Sequence, residues 1–303
     1  MKTVKVFYAG IPAKNNNPEK VDVLRFFHMG VPAGQSTEIK VPKYSACDLA
    51  VMQGWVHENS GNTPHLMFRR EIIRQQKLAG KHVLAIDSNL FLYKDPNNTK
   101  HYLRFSLDDV FPTTGNYFTE KVDPSRWKKI QKDLNIEVKP WRTEGNHILI
   151  CLQRNGGWSM GGLGVMDWLN KTIIKIQTHT DRPIIVRAHP GDKRAKEYLR
   201  IKWPNVRISR NPSILDDFKN CWATVTFNSS PGVASAIEGI PLYVTDPTPK
   251  MSQAFEVANT DLSTINSPKT FGRASWLEKI SMSHFNYDDL RDGIAWNIIK
   301  DYI

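Results

Sequence analysis

The stretch that most limits what this chain can fold into covers residues 183–246. Residues 183–188 are a short apolar run rich in β-branched side chains, the pattern of a buried strand, and the run closes on Arg187-Ala188-His189-Pro190. Residues 222–227 repeat the design and end in Asn228-Ser229-Ser230-Pro231-Gly232, after which 233–237 has the character of the first turns of a helix. A third strand, 241–245, is closed by Asp246. Strands that end in polar groups along one edge of a parallel sheet form a ligand crevice at their carboxyl ends. A polar turn leading into a helix N-terminus favours an anion there. Arg187 and His189, two residues apart, leave the same face of a strand, so a cation, an imidazole and hydroxyls converge in a way that suits phosphate or diphosphate.

The preceding half has its own β-α alternation. Residues 4–9 are strand-like, 18–29 helix-like with Val21, Leu24 and Phe27 as the apolar face, and 50–52 a second strand. Residues 64–80 form the clearest helix, stopped at Gly80, and 81–86 a third strand ending in Asp87-Ser88-Asn89. Such alternation implies a largely parallel sheet with helices on both faces. Gly10-Ile11-Pro12-Ala13 carries one glycine, so no dinucleotide fingerprint, and no nicotinamide cofactor, is expected. Between 102 and 118 periodicity fails and turn residues gather, which predicts a working loop containing Asp108 and Asp109. Residues 124–135 should be a helix capped by Asp123, and 137–146 a linker.

The alternation restarts with a strand at 148–152, a glycine-rich loop with Arg154, Gly156 and Gly157, and a helix at 165–178. Glycines let backbone approach a ligand, and Arg154 beside them can meet a phosphate. Glu238 lies far enough along the helix after Ser230 to reach ribose hydroxyls. A helix-like tail, 287–303, carries Leu290, Ile294, Ile298 and Tyr302 at spacings of four. The 303 residues and 40% hydrophobic content support two cores. The expected domains are therefore 1–142, binding an acceptor, and 147–285, binding a nucleotide, with 286–303 crossing back. No run of about eighteen apolar residues exists and no secretory leader is evident, so a cytoplasmic protein without a membrane partner is expected. Cys47, Cys151 and Cys221 are odd in number without metal-like spacing, and buried free thiols are expected.

His189-Pro190 after one strand and Ser229-Ser230 at the head of a later helix resemble the paired motifs of GT-B-fold glycosyltransferases, notably bacterial sialyltransferases and Kdo transferases. The resemblance implies an α/β architecture of two Rossmann-like domains facing a central cleft. It also implies that His189 and the serines hold the phosphate of a nucleotide-sugar donor. The wider runs 187–192 and 228–246 are similar to a group of phage-encoded glycosyltransferases, some of which decorate 5-hydroxymethylated bases in DNA. This similarity implies a host-cell cytoplasmic enzyme. The donor set is then Arg154, Gly156, Gly157, Arg187, His189, Asn228, Ser229, Ser230, Gly232 and Glu238. No metal or other cofactor is expected, because these cations and dipoles can neutralise the leaving phosphate. The base that takes the acceptor proton is Asp87, at a strand end, or Asp108 or Asp109 in the loop.

The formal charge of +11 argues about partners, with nucleic acid, anionic lipid or an anionic glycan the usual candidates. Arg69, Arg70 and Arg74 form one basic group and Lys128, Lys129 and Lys132 another, with Tyr117, Phe118 and Trp127 near enough in sequence to stack on bases. The expected reaction is sugar transfer to hydroxymethylated bases of DNA, flipped out of the duplex or single-stranded. Two alternatives stand beside it: a glycosyltransferase of capsule or lipid-linked glycan synthesis, and a non-catalytic nucleic-acid-binding protein on the same scaffold.

Overall fold

The computed structural model describes residues 1–11, 18–57, 60–91, 98, 100–155, 158–200, 203–248 and 251–303. The chain divides into two compact units, residues 1–136 with 277–303, and residues 137–276. The sequence places the boundaries at 142, 147 and 285. The return to the first unit instead begins at 277, because a strand after residue 283 joins the first sheet.

The first unit opens with β1 (Val4–Phe7), α1 (Pro18–Gly30), β2 (Ser36–Ile39), β3 (Leu49–Gln53), α2 (Pro64–Leu78), β4 (His82–Ser88), β5 (Tyr102–Leu107) and α3 (Pro124–Leu134). The second holds β6 (His147–Cys151), α4 (Val165–Gln177), β7 (Ile184–Arg187), α5 (Ala195–Tyr198), β8 (Val206–Ile208), α6 (Ile214–Asp217), β9 (Cys221–Thr226), α7 (Pro231–Ile237) and β10 (Leu242–Val244). After α8 (Ala274–Ser281) come β11 (His284–Asn286), α9 (Tyr287–Arg291) and α10 (Ile294–Ile299).

The first sheet has the order β11-β5-β4-β3-β1-β2. Its strands β1 to β4 run parallel, whereas β5 is antiparallel to β4 and β11 antiparallel to β5. The second sheet, β10-β9-β6-β7-β8, is parallel throughout. Both are α/β layers, as the alternation predicts.

Local differences from the sequence reading have physical causes. The stretch from 102 holds a strand, β5, whose residues are all buried. A strand buried on both faces shows no alternation, and Arg104 disguises it further; its guanidinium donates to Asp87 at 2.8 Å and to the Tyr117 hydroxyl at 3.3 Å. On α1 the buried stripe is Val23, Leu24 and Phe27, while Val21 is 42% exposed. On α2 it is Phe68, Arg69, Ile72 and Gln76, a spacing of three and four along one face, so Met67 and Leu78 face water. The tail is two short helices rather than one, broken at Gly293 with φ 74°. Asn286 and Asp289 form a reciprocal capping box that starts α9. Asp123 does cap α3, accepting from the Ser125 amide at 2.9 Å. All three cysteines are buried and free; burial pushes Cys47 up to about 11 and Cys221 up to about 12.

Candidate functional site

In the second unit the strand register sets the site. Cys151 of β6 pairs with Arg187 of β7 on one side and Thr226 of β9 on the other. The residues that follow, His189 and 228–230, therefore leave the same carboxyl edge, two strand spacings or about 10 Å apart. A buried polar frame fixes the β9 side. Asn228, 3% exposed, donates to the Ser159 carbonyl at 3.0 Å and to Asp246 at 2.7 Å, and its carbonyl accepts from Gln153. The Trp168 indole donates to Thr245 at 2.8 Å. With every member partnered, such a network holds one geometry.

Within this frame the Ser229 hydroxyl is buried and has no hydrogen-bond partner among the described residues. A buried hydroxyl left unpaired costs free energy that a ligand oxygen would return. Ser230 occupies the first position before α7 without a side-chain cap bond, so neither serine is spent on the helix. At Gly232 a Cβ would lie 3.1 Å from Leu242 and 3.3 Å from Ala254, which explains a residue without one where α7 meets β10.

On the β7 side, His189 Nδ1 accepts from the Gly191 amide at 3.0 Å. This bond places the proton of the neutral ring on Nε2. Gly191 then borders a cleft of roughly 690 Å³ lined by Arg154, Asn155, Asp192, Lys193, Arg194, Glu197 and Tyr198. Asp192 organises it, accepting from the Asn155 amide at 2.9 Å, the Tyr198 hydroxyl at 2.6 Å and the Arg194 amide at 3.1 Å. Burial raises its carboxyl, but bonds from Tyr198, Asn155 and Arg194 outweigh that and hold it below the usual range. Arg194 is paired with Glu197 at 2.7 Å. Arg154 and Lys193 are exposed and line the cleft, Arg154 close enough to help hold the Asp192 carboxyl down, so two cations face this cleft.

Several residues expected at the donor site stand elsewhere. Arg187 is consumed by structure: its guanidinium donates to Asp217 at 2.5 Å, to the Asn211 and Pro212 carbonyls at 2.9 Å, and more distantly to Ser209 and Ser213. It clamps the turn before α6 and has no free fork for a phosphate. Glu238 lies past the far end of α7 and pairs with Lys139, away from the carboxyl edge. Gly156 and Gly157 lie outside the described residues. Sequence reasoning missed Asp192, Lys193 and Arg194, although their place directly after His189-Pro190 was the available signal. Gln153 was missed because a single amide after a strand carries no pattern.

In the first unit Asp87 is the penultimate residue of β4, at the carboxyl edge. One oxygen accepts from Arg104 at 2.8 Å and the other from the Ser88 amide at 2.7 Å, and the side chain stays 43% exposed. Asp108 sits at the opposite end of the same strand, accepting from the Val83 amide at 2.9 Å and His82 at 2.7 Å. Its φ of 65° marks it as a turn residue. Asp109 accepts from Thr114 at 2.7 Å within its own loop. The structure therefore separates Asp108 from Asp87 by the length of β4.

The basic residues do not form one face. Arg69 is buried and donates to the Gly10 carbonyl at 2.8 Å. Arg70 bonds Asn62 and the Gly61 carbonyl, both at 2.9 Å, and Arg74 pairs with Glu71 at 2.9 Å. Lys129 pairs with Asp133 at 3.0 Å, leaving Lys128 and Lys132 exposed on α3. Tyr117, Phe118 and Trp127 are all buried, so none presents a ring for stacking on a base. Among the described residues no group of His, Cys, Asp and Glu is arranged to hold a metal ion. No helix among them is long and apolar enough to cross a membrane.

No protein-family model and no curated protein matches this sequence. Solved structures do. The Thermosulfurimonas dismutans KpsC structure described as a β-Kdo 2,4 transferase aligns with a TM-score of 0.55 at 13% identity, covering 93% of this chain and 90% of that one. Its β-Kdo 2,7 transferase counterpart aligns at 0.53 and 12% identity, covering 100% of both chains. Such a likeness speaks to architecture: the chain has the α/β fold of the GT-B class, with two sheets built mainly of parallel strands.

Proposed function

We propose that the protein is a glycosyltransferase that moves a sugar from a nucleotide-sugar donor to a hydroxyl of a glycan acceptor. The observation that carries this reading is the carboxyl edge of the second sheet. There a buried, partnerless Ser229 hydroxyl stands beside the fixed Asn228 frame, and His189 is bonded to Gly191, which lines a cleft with the exposed cations Arg154 and Lys193. The donor diphosphate would take a hydrogen bond from Ser229 and from His189 Nε2, with Arg154 or Lys193 balancing charge that grows as the leaving phosphate departs. Asp87 is the base of this reading, its carboxylate oriented by Arg104 and open to solvent on its remaining lone pairs.

A glycan acceptor is favoured over DNA on two grounds. The structures of like architecture are described as Kdo transferases, and the arginines and aromatic rings offered for nucleic acid are paired or buried. The charge of +11 keeps hydroxymethylated DNA as a second reading. Incubating the protein with a panel of nucleotide sugars, oligosaccharide acceptors and hydroxymethylated DNA, followed by mass analysis, tests both. Sugar added to an oligosaccharide supports the first reading; sugar added to DNA bases alone replaces it with the second; absence of donor turnover with every acceptor overturns both.

A further inference from the structure

Arg69 is 6% exposed, and a buried guanidinium needs acceptors. Its Nε has the Gly10 carbonyl at 2.8 Å, but its two terminal nitrogens have no acceptor among the described residues. They lie at the ends of two neighbouring strands, each followed by a glycine. Gly10 follows β1 and Gly54 follows the neighbouring β3, and a Cβ on Gly54 would sit 2.8 Å from Nη1. Gly54 also has φ of 80°, a conformation that other residues avoid.

Other positive groups crowd the same edge. Lys20 stands in the first turn of α1, where the helix dipole already disfavours a cation; burial and then Arg69 pull its amine below the usual range. His65, one turn before Arg69 on α2, is lowered by burial and then by Arg69 and Lys20. Two carboxylates, Asp87 and Glu19, are within electrostatic reach and offset part of this charge, but each also has another partner. Asp87 is held by Arg104 at 2.8 Å, and Glu19 pairs with His101 at 3.5 Å. The edge is left with partly desolvated positive charge that an anion would relieve.

We propose that Arg69 and Lys20, with His65 beside them, form a binding site for a single oxyanion, a carboxylate or a phosphate, next to the Asp87 carboxylate. The guanidinium fork offers two parallel donors, the geometry both groups accept. The further assignment, that this anion is a substituent of an acidic acceptor whose hydroxyl then lies near Asp87, rests on the glycosyltransferase reading. The anion site itself does not.

Calorimetric titration of the full chain with inorganic phosphate, glucuronate and glucose tests it. Saturable binding of phosphate or glucuronate, no binding of glucose, and affinity weakened about tenfold or more by Lys20→Gln are expected, on the scale of one charged hydrogen bond. Arg69→Lys, which keeps the charge and loses the fork, should weaken binding too; Lys20→Gln keeps the test valid if that variant does not fold. Binding of phosphate alone assigns a phosphorylated acceptor, and binding of glucuronate alone an acidic sugar. Failure of both anions to bind, or binding unchanged in folded Lys20→Gln, overturns the site. Anion binding without donor turnover overturns the glycosyltransferase reading and leaves the site standing.

Discussion

At the scale of single residues, what a side chain is bonded to decides its role more than its type does. Arg187 and His189 stand two apart at one strand end, yet Arg187 is spent on Asp217 and the 211–213 carbonyls while His189 accepts from Gly191 at the border of the cleft. The spacing of the pair was legible in sequence; the partner Asp217, thirty residues later, was not. Arg187→Ala is therefore expected to destabilise the second unit by about 3 kcal/mol or more, since it leaves Asp217 buried without its cation. Denaturant melts check this. Ser229→Ala with Ser230→Ala behaves in the opposite way. Neither hydroxyl caps α7, so thermal stability should stay within about 0.5 kcal/mol of the parent, and donor affinity should fall. A loss of stability with unchanged donor affinity would make the serines structural.

At the scale of elements, strands made of continuous apolar, β-branched runs, such as β6 and β9, and helices with strong end signals were legible. Residues 124–135 announce a helix capped by Asp123, and the structure has α3 over Pro124–Leu134 with that cap in place and Asn135 closing it. Asp123→Ala should cost about 1 kcal/mol, the ordinary worth of an N-cap, measurable as a shift in the urea midpoint. The strand β5 was not legible, because its polar residues, Arg104 and Ser106, are buried by partners remote in sequence. Nor was β11, three residues long and defined by pairing with β5 from the other end of the chain. Of the site, the two motif positions at the carboxyl edge were visible as pattern. The Asn228 frame and the cleft after His189 required the register of three strands at once.

At the scale of the whole molecule, buried histidines couple stability to pH. His284 is fully buried, its Nδ1 donating to the Ile280 carbonyl at 2.7 Å and its Nε2 accepting from the Leu90 amide at 3.2 Å. Burial drives it down to about 3, so the folded chain keeps it neutral where the unfolded chain takes up a proton. The stability this neutral ring allows is present above the unfolded value near 6.5 and is lost as pH falls from there toward 3, by roughly 1.4 kcal/mol per pH unit. His57 and His147, also lowered by burial, act in the same direction. Denaturant midpoints should fall steadily between pH 6.5 and 4.5, above the range where carboxylates titrate. A flat profile there would mean that His284 is not held neutral.

The account rests on the second unit binding a nucleotide diphosphate at its carboxyl edge. The most direct test is calorimetric titration of the wild type and His189→Ala with a panel of nucleoside mono- and diphosphates, beside thermal melts of both. One nucleotide should bind the wild type saturably, and the folded variant should bind it at least about tenfold more weakly, as expected for one charge-assisted hydrogen bond. Equal affinity in a variant that melts like the wild type, or no nucleotide bound by either, would contradict it.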